Sequence, residues 1–173
     1  MRRALALLVA LAVVVVVVGC SGGGLGENTD QQLVPPPDRD PAPKVDVPAL
    51  DGDGRVTLAA HRGTPVVLNF WASWCEPCQR ETPELVAFSK RHPGIDVVGL
   101  AVNDIPSDAR RFARKESVPY ELGVDRDADV AGRFAVSGLP VTAVIDAEGR
   151  LAATFIGEIS DAQLESFAKQ LGG

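Results

Sequence analysis

The sequence predicts an α/β domain, a central mixed sheet flanked by helices and preceded by an N-terminal β-hairpin. Three observations carry this. Two near-continuous apolar runs, Pro65 to Trp71 and Ile95 to Val102, have the character of strands buried on both faces. Segments with apolar residues at helical spacing alternate with such runs, the pattern of a sheet covered on both sides. Near the C-terminus, Val141 to Ile145 and Leu151 to Ile156 are joined by Asp146-Ala147-Glu148-Gly149, which predicts an antiparallel hairpin at one side of the sheet.

The 173 residues suffice for one domain with accessory segments. Arg2 and Arg3 precede an apolar run from Ala4 to Val18, then Gly19-Cys20. A basic start, about 7–15 apolar residues and a small residue at the cut describe a secretory signal, and the run is short for a membrane-spanning helix. Val17-Val18-Gly19-Cys20 resembles a bacterial lipobox. Residues 1–19 are therefore expected to be a lipoprotein signal peptide with Cys20 lipidated; the alternatives are an ordinary secretory signal and an uncleaved short anchor. Residues 20–43 hold that cysteine and a tether rich in Gly, Pro and polar side chains, which cannot bury a core and is expected to be disordered. The domain proper is expected over residues 44–173.

Within it, Val45 and Val47 alternate before the turn Asp51-Gly52-Asp53-Gly54 and Val56-Thr57-Leu58, which predicts the N-terminal hairpin. Pro65 to Trp71 is the first central strand. A helix is predicted from about Pro77 to Arg91, with Leu85, Val86 and Phe88 facing the core, ended by His92-Pro93-Gly94. Ile95 to Val102 is the next strand. Ser107 is the expected cap of a basic helix reaching about Glu116, and Val118-Pro119 stops it. Tyr120 to Val124 predicts a short strand, and Asp127 the cap of a helix to about Phe134. After the C-terminal hairpin, Ser160 or Asp161 caps a last helix with Leu164, Phe167 and Leu171 at helical spacing.

Charge excludes some partners. Residues 1–19 contain two of the 17 basic residues and none of the 23 acidic ones, so their removal leaves 15 against 23 and a net charge of −8. An acidic chain without a basic cluster is a poor ligand for nucleic acid or for anionic lipid headgroups. Its membrane contact would be the lipid alone.

Chemistry concentrates at Trp74-Cys75-Glu76-Pro77-Cys78, between a buried strand and a helix. The spacing lets two sulfurs meet across the first helical turn, where unpaired N–H groups and the positive dipole end favour a thiolate. Pro77 fits there because an N-terminal helical residue loses nothing by lacking an N–H. Ser73-x-x-Glu76 also mimics a capping box, which leaves the helix start open by a few residues. The alternatives are half a zinc site and a static disulfide. Zinc needs about four ligands, and His61 and His92, the only histidines, lack a zinc-like spacing, with no third domain cysteine. One short-loop pair is too little to serve as a scaffold. No metal and no cofactor is expected.

Asn69-Phe70-Trp71-Ala72-Ser73-Trp74-Cys75-Glu76-Pro77-Cys78, with Pro83 five residues on and Gly138-Leu139-Pro140 far downstream, resembles the thioredoxin superfamily over about residues 44–173. More narrowly it resembles the ResA/TlpA-like branch of extracytoplasmic, often membrane-anchored oxidoreductases. The resemblance implies that Cys75 attacks, is the more exposed sulfur, and that Cys78 resolves the mixed disulfide. Pro140 matches the superfamily's cis-proline, which brings Leu139 beside the cysteines to meet substrate together with Trp74. Pro83 removes the partner of the Gln79 carbonyl and should kink the helix. Asn69 departs from cytoplasmic thioredoxins, which have a buried aspartate there. Glu81 matches a glutamate thought to influence thiol ionisation and proton transfer; the alternative is a solvated surface side chain. Copper carriers of the Sco type use a longer cysteine spacing and a downstream histidine. Peroxiredoxins place Thr or Ser where this chain has Ala72.

Direction follows from thiolate stability relative to the disulfide. Glu76 opposes a thiolate at Cys75, and no histidine or basic residue stands in the turn to offset it, which points to a reductant. The resemblance points the same way, toward the heme-site cysteines of exported apocytochrome c. The expected partners are a disulfide-bearing exported protein, a membrane electron donor that recharges the dithiol, and the bilayer through Cys20. The alternative is an oxidative-folding catalyst that introduces disulfides into secreted proteins.

Overall fold

The computed structural model describes residues 32–172, so Cys20 and the predicted signal lie outside the described residues. Strands β1 (Asp46–Pro48) and β2 (Arg55–Thr57) form the antiparallel N-terminal hairpin. Five further strands form one sheet: β3 (Val66–Trp71), β4 (Asp96–Val102), β5 (Glu121–Asp125), β6 (Val141–Ile145) and β7 (Leu151–Ile156). Their order is β5-β4-β3-β6-β7, with β3-β4 and β4-β5 parallel and β3-β6 and β6-β7 antiparallel. Helices are α1 (Glu76–Arg91), α2 (Pro106–Lys115), α3 (Asp129–Arg133) and α4 (Asp161–Leu171). This is the predicted mixed sheet, and it is a thioredoxin-like fold.

Successive β3 side chains enter different parts of the core, as a strand's two-residue period requires. Val66, Leu68 and Phe70 pack with Val47 and Val56 of the hairpin and with α3, whereas Val67 packs with Leu85, Phe88, Leu164 and Phe167 of α1 and α4. Asn69 shares the parity of Val67 and so belongs to the α1 side. Trp71, of the same parity, joins Phe112 of α2 and both domain cysteines in a third cluster. Val86 is only half-buried, so α1 presents Leu85 and Phe88 to the core.

Two local expectations are corrected, and the choice of cap for α4 is settled. Helix α2 starts at Pro106 with Ile105 as its cap, because a proline at the first position has the helical φ and no N–H to satisfy; Ser107 lies inside the helix. Helix α3 is capped by the carboxylate of Asp125, which accepts from Val130 N at 3.2 Å and Ala131 N at 2.8 Å, and not by Asp127. Ser160 caps α4, with Gln163 Oε1 accepting from its backbone N–H at 2.9 Å.

The largest correction concerns the tether. Residues 33–42, expected to be disordered, lie along the outer side of β7. Val34 N donates to Ala152 O at 2.8 Å, Leu151 N to Asp40 O at 2.8 Å and Ala42 N to Gly149 O at 3.0 Å. Leu33 is buried against the α4 cluster, and Arg39 Nη1 reaches Asp146 Oδ2 at 3.1 Å. The proline content that suggested a linker is compatible with this because few of these residues need to donate.

Candidate active site

Strand β3 ends at Trp71, and the chain turns through Ala72, Ser73 and Trp74 into α1. Asp104, buried at the end of β4, fixes this turn: its carboxylate accepts from Ser73 N at 2.5 Å and Ser73 Oγ at 2.9 Å. The capping ambiguity resolves onto Cys75, whose Sγ accepts from Cys78 N at 3.3 Å. Glu76 and Pro77 then form the first two helical positions. Cys75 and Cys78 are joined as a disulfide with Cα atoms 5.3 Å apart. Cys78 is fully buried while Cys75 retains 5 % exposure, so attack from outside can reach only Cys75.

The Leu139–Pro140 peptide is cis. Pro140 is buried and its carbonyl accepts from Gly157 N at 2.9 Å, which ties the start of β6 to the end of β7. Leu139 packs against the cluster that contains both cysteines. Trp74 is 63 % exposed, with its indole N–H on Asn103 O at 3.3 Å, so a large flat apolar surface flanks the disulfide. The structure thus brings Trp74, Cys75, Cys78, Leu139 and Pro140 together.

Glu81 is 1 % exposed, which excludes the solvated alternative. Its position three residues after Cys78 puts it on the same helical face. Oε1 accepts from Asn69 Nδ2 at 2.8 Å and Oε2 from Ile159 N at 3.0 Å. Burial raises its pKa to about 7, against the pull of the Ile159 and Asn69 donors; the charge of Glu158 adds to the rise. A carboxyl with that pKa takes up and returns protons near neutrality.

Glu76 behaves differently from expectation. Its side chain is 85 % exposed, and Arg80, one turn on, bonds it at 3.0 Å while also bonding Glu158 at 2.8 Å. The like charge opposite Cys75 therefore does have a basic partner, in the next turn of the helix. Pro83 lies inside α1 on its exposed side. His61 sits between Asp96 at 2.7 Å and Glu121 at 3.0 Å, at the starts of β4 and β5 and so at the opposite end of the sheet from the cysteines.

Sequence reasoning noted Asn69 as a departure but missed its partnership with Glu81. The parity shared with Val67 and Trp71 was the available signal. Asp104 was missed altogether, although an acid two residues past a buried strand, at the end where the cysteines lie, could have marked it.

A family model described as the AhpC/TSA family matches residues 39–154. The thiol-disulfide oxidoreductase ResA of Bacillus thuringiensis is 27 % identical over 75 % of this chain and 76 % of its own length. The thiol:disulfide interchange protein HelX of Rhodobacter capsulatus is 29 % identical over 90 % of this chain and 88 % of its own. Among solved structures, a DsbF homologue from Corynebacterium diphtheriae superposes with a TM-score of 0.75 at 27 % identity, covering 80 % of this chain and 91 % of that one.

Proposed function

This chain belongs to the AhpC/TSA family and is a thioredoxin-fold thiol-disulfide oxidoreductase, and from that premise we propose that it reduces disulfides of exported proteins at the outer face of a membrane. The observation that carries the proposal is the Cys75–Cys78 disulfide at the start of α1 with the buried Glu81 carboxyl on the same helical face.

In the reduced enzyme, the N–H groups of the first turn stabilise a Cys75 thiolate. It attacks one sulfur of a substrate disulfide, forming a Cys75–substrate bond and releasing the other substrate sulfur as a thiolate, which takes a proton from solvent. Cys78 must then lose its proton. Glu81 accepts it, and the Cys78 thiolate attacks the Cys75 sulfur. The mixed disulfide breaks, the second substrate sulfur leaves as a thiolate, and the proton held by Glu81 returns through water. Two electrons have passed from the dithiol to the substrate. Trp74, Leu139 and Pro140 form the surface that receives the substrate segment, with Glu76 and Pro77 shaping the turn between the sulfurs.

The likeness to ResA, whose branch this sequence resembles, supports the heme-site cysteines of apocytochrome c as substrate, during cytochrome c maturation. Cys20 would anchor the protein by its lipid, and a membrane electron donor would return the enzyme to the dithiol. Among the described residues no helix is long and apolar enough to cross a membrane; the anchoring reading rests on the lipobox-like segment ending in Cys20, which lies outside them.

The Arg80–Glu76 contact favours a second reading, oxidation of secreted proteins, because it weakens the opposition to a Cys75 thiolate. A redox titration separates the two. A reductase has a low potential and accumulates as the dithiol in cells; a potential near about −120 mV, that of strong dithiol oxidants, sinks it. Cys78→Ser should retain its client on Cys75 as a mixed disulfide, and mass spectrometry of that species names the substrate.

A further inference from the structure

Beneath the disulfide, one amide and one acid meet with fixed roles. Asn69 is 3 % exposed, and its Nδ2 donates both to Glu81 Oε1 at 2.8 Å and to Thr142 Oγ1 at 3.2 Å. Asn69 and Thr142 face each other across the β3-β6 pairing, so the second contact is built into the sheet register. With Glu81 ionised, a reversed amide would set its oxygen against the carboxylate, acceptor against acceptor. In this arrangement Asn69 donates to Glu81, and a donor favours the anion over the protonated acid.

The other groups around Glu81 do not do this. Cys78 lies on its own helix. Glu158, from the loop before α4, pushes the acid toward its protonated form and is itself held by Arg80. Tyr120, before β5, is a buried phenol whose own pKa is raised by burial and by the Glu81 charge. Apart from Asn69, among the described residues only Ile159 N–H supports the anion, and a backbone group is the same in any sequence.

We propose that Asn69 is a positioning residue that holds Glu81 as the anion able to accept the Cys78 proton, an inference that rests on Glu81 being that acceptor. The carboxyl's value of about 7 is then a balance between burial and two neutral donors, one of which the sequence selects.

The test uses the whole chain and two readouts. Carboxyl carbon NMR follows the Glu81 titration in the oxidised protein. The second release of thionitrobenzoate from the Cys75 mixed disulfide follows the attack by Cys78. Loss of one hydrogen bond to a charged group should move the Glu81 midpoint up by about one to two pH units in Asn69→Leu, and the pH profile of the release should move with it. Asn69→Ser, which removes the amide without a bulky replacement, should do the same if Asn69→Leu fails to fold. A midpoint that stays put or falls in the folded variants overturns the proposal. If the midpoint rises as expected but the release profile is unchanged in these variants and in Glu81→Gln, the pairing stands and the reading of Glu81 as acceptor falls.

Discussion

Two carboxylates in this molecule are both shielded from solvent and oppositely disposed. Glu81 is 1 % exposed and Asp146, in the β6–β7 turn, is 4 % exposed. Burial raises the Glu81 pKa to about 7 because its donors, Asn69 and Ile159 N–H, are neutral. Burial pushes Asp146 up too, but the Arg150 N–H, the Arg39 guanidinium and the Arg150 guanidinium more than reverse it and hold that carboxyl below its usual range. The distances are 2.8 Å from Arg150 N, 3.1 Å from Arg39 Nη1 and 2.8 Å from Arg150 Nε. Glu81 lies deeper and has only neutral donors, whereas Asp146 adds two guanidinium groups to its backbone donor, and these differences together set the two carboxyls apart. Asp146 is a fixed clasp, whereas Glu81 has a carboxyl that can take up and return a proton near neutrality.

The largest effect should come from breaking the clasp. Asp146→Ala leaves Arg39, whose side chain is 8 % exposed, buried without its anion, and this costs about 3–5 kcal/mol in a urea titration. Thionitrobenzoate release per folded molecule should be unchanged. A loss below about 1 kcal/mol would put the two carboxylates on the same footing.

The second effect sharpens the contrast through pH. Glu81 binds its proton more tightly folded, at about 7, than unfolded, near 4.5. Its stabilising contribution is therefore complete below pH 4.5 and is lost as pH rises through 7, a change of about 3 kcal/mol. Denaturation of the oxidised protein across that window should show the fall, and Glu81→Gln should remove it. Asp146 runs the other way: its contribution is present above its unfolded value near 3.8 and fails only as pH drops through a still lower folded value.

The smallest effect belongs to the exposed Arg80. Arg80→Gln frees the Glu76 charge beside Cys75 and should shift the dithiol–disulfide equilibrium toward the disulfide by about two- to threefold at low salt. The shift should fade at high ionic strength. A redox titration at two salt concentrations reads it, and a large salt-independent change would mean that this pair is part of the active site in the same sense as Glu81.

What the sequence made legible depended on the range of the forces involved. Strands β3, β4, β6 and β7 announced themselves because apolar runs are local, and Cys75-Glu76-Pro77-Cys78 because a redox turn is four residues long. The cis form at Pro140 followed from a family likeness. Arg39, by contrast, finds Asp146 across 107 positions, and nothing near Arg39 in a proline-rich stretch distinguishes it from a solvated arginine. Asp125 displaced Asp127 as the cap of α3 because the turn geometry, with Ala128 in the left-handed region at φ 57°, aims the more distant acid at the free N–H groups. No basic residue stands within the turn itself, but the helix places Arg80, one turn on, over Glu76.

The strap along β7 has a counterpart across the sheet, where Leu50 N donates to Leu122 O at 2.7 Å and Ala49 bridges Gly123 of β5. Gly123 is open to that approach only because it has no side chain: a Cβ there would fall 2.6 Å from Val47 Cγ2. Both outermost strands thus carry a cover of irregular chain. An uncovered rim is a template on which a neighbouring copy can add its own strand, the usual start of sheet-to-sheet aggregation. Segments with no part in the thiol chemistry therefore bear on colloidal behaviour, on whether many copies crowded together remain separate molecules.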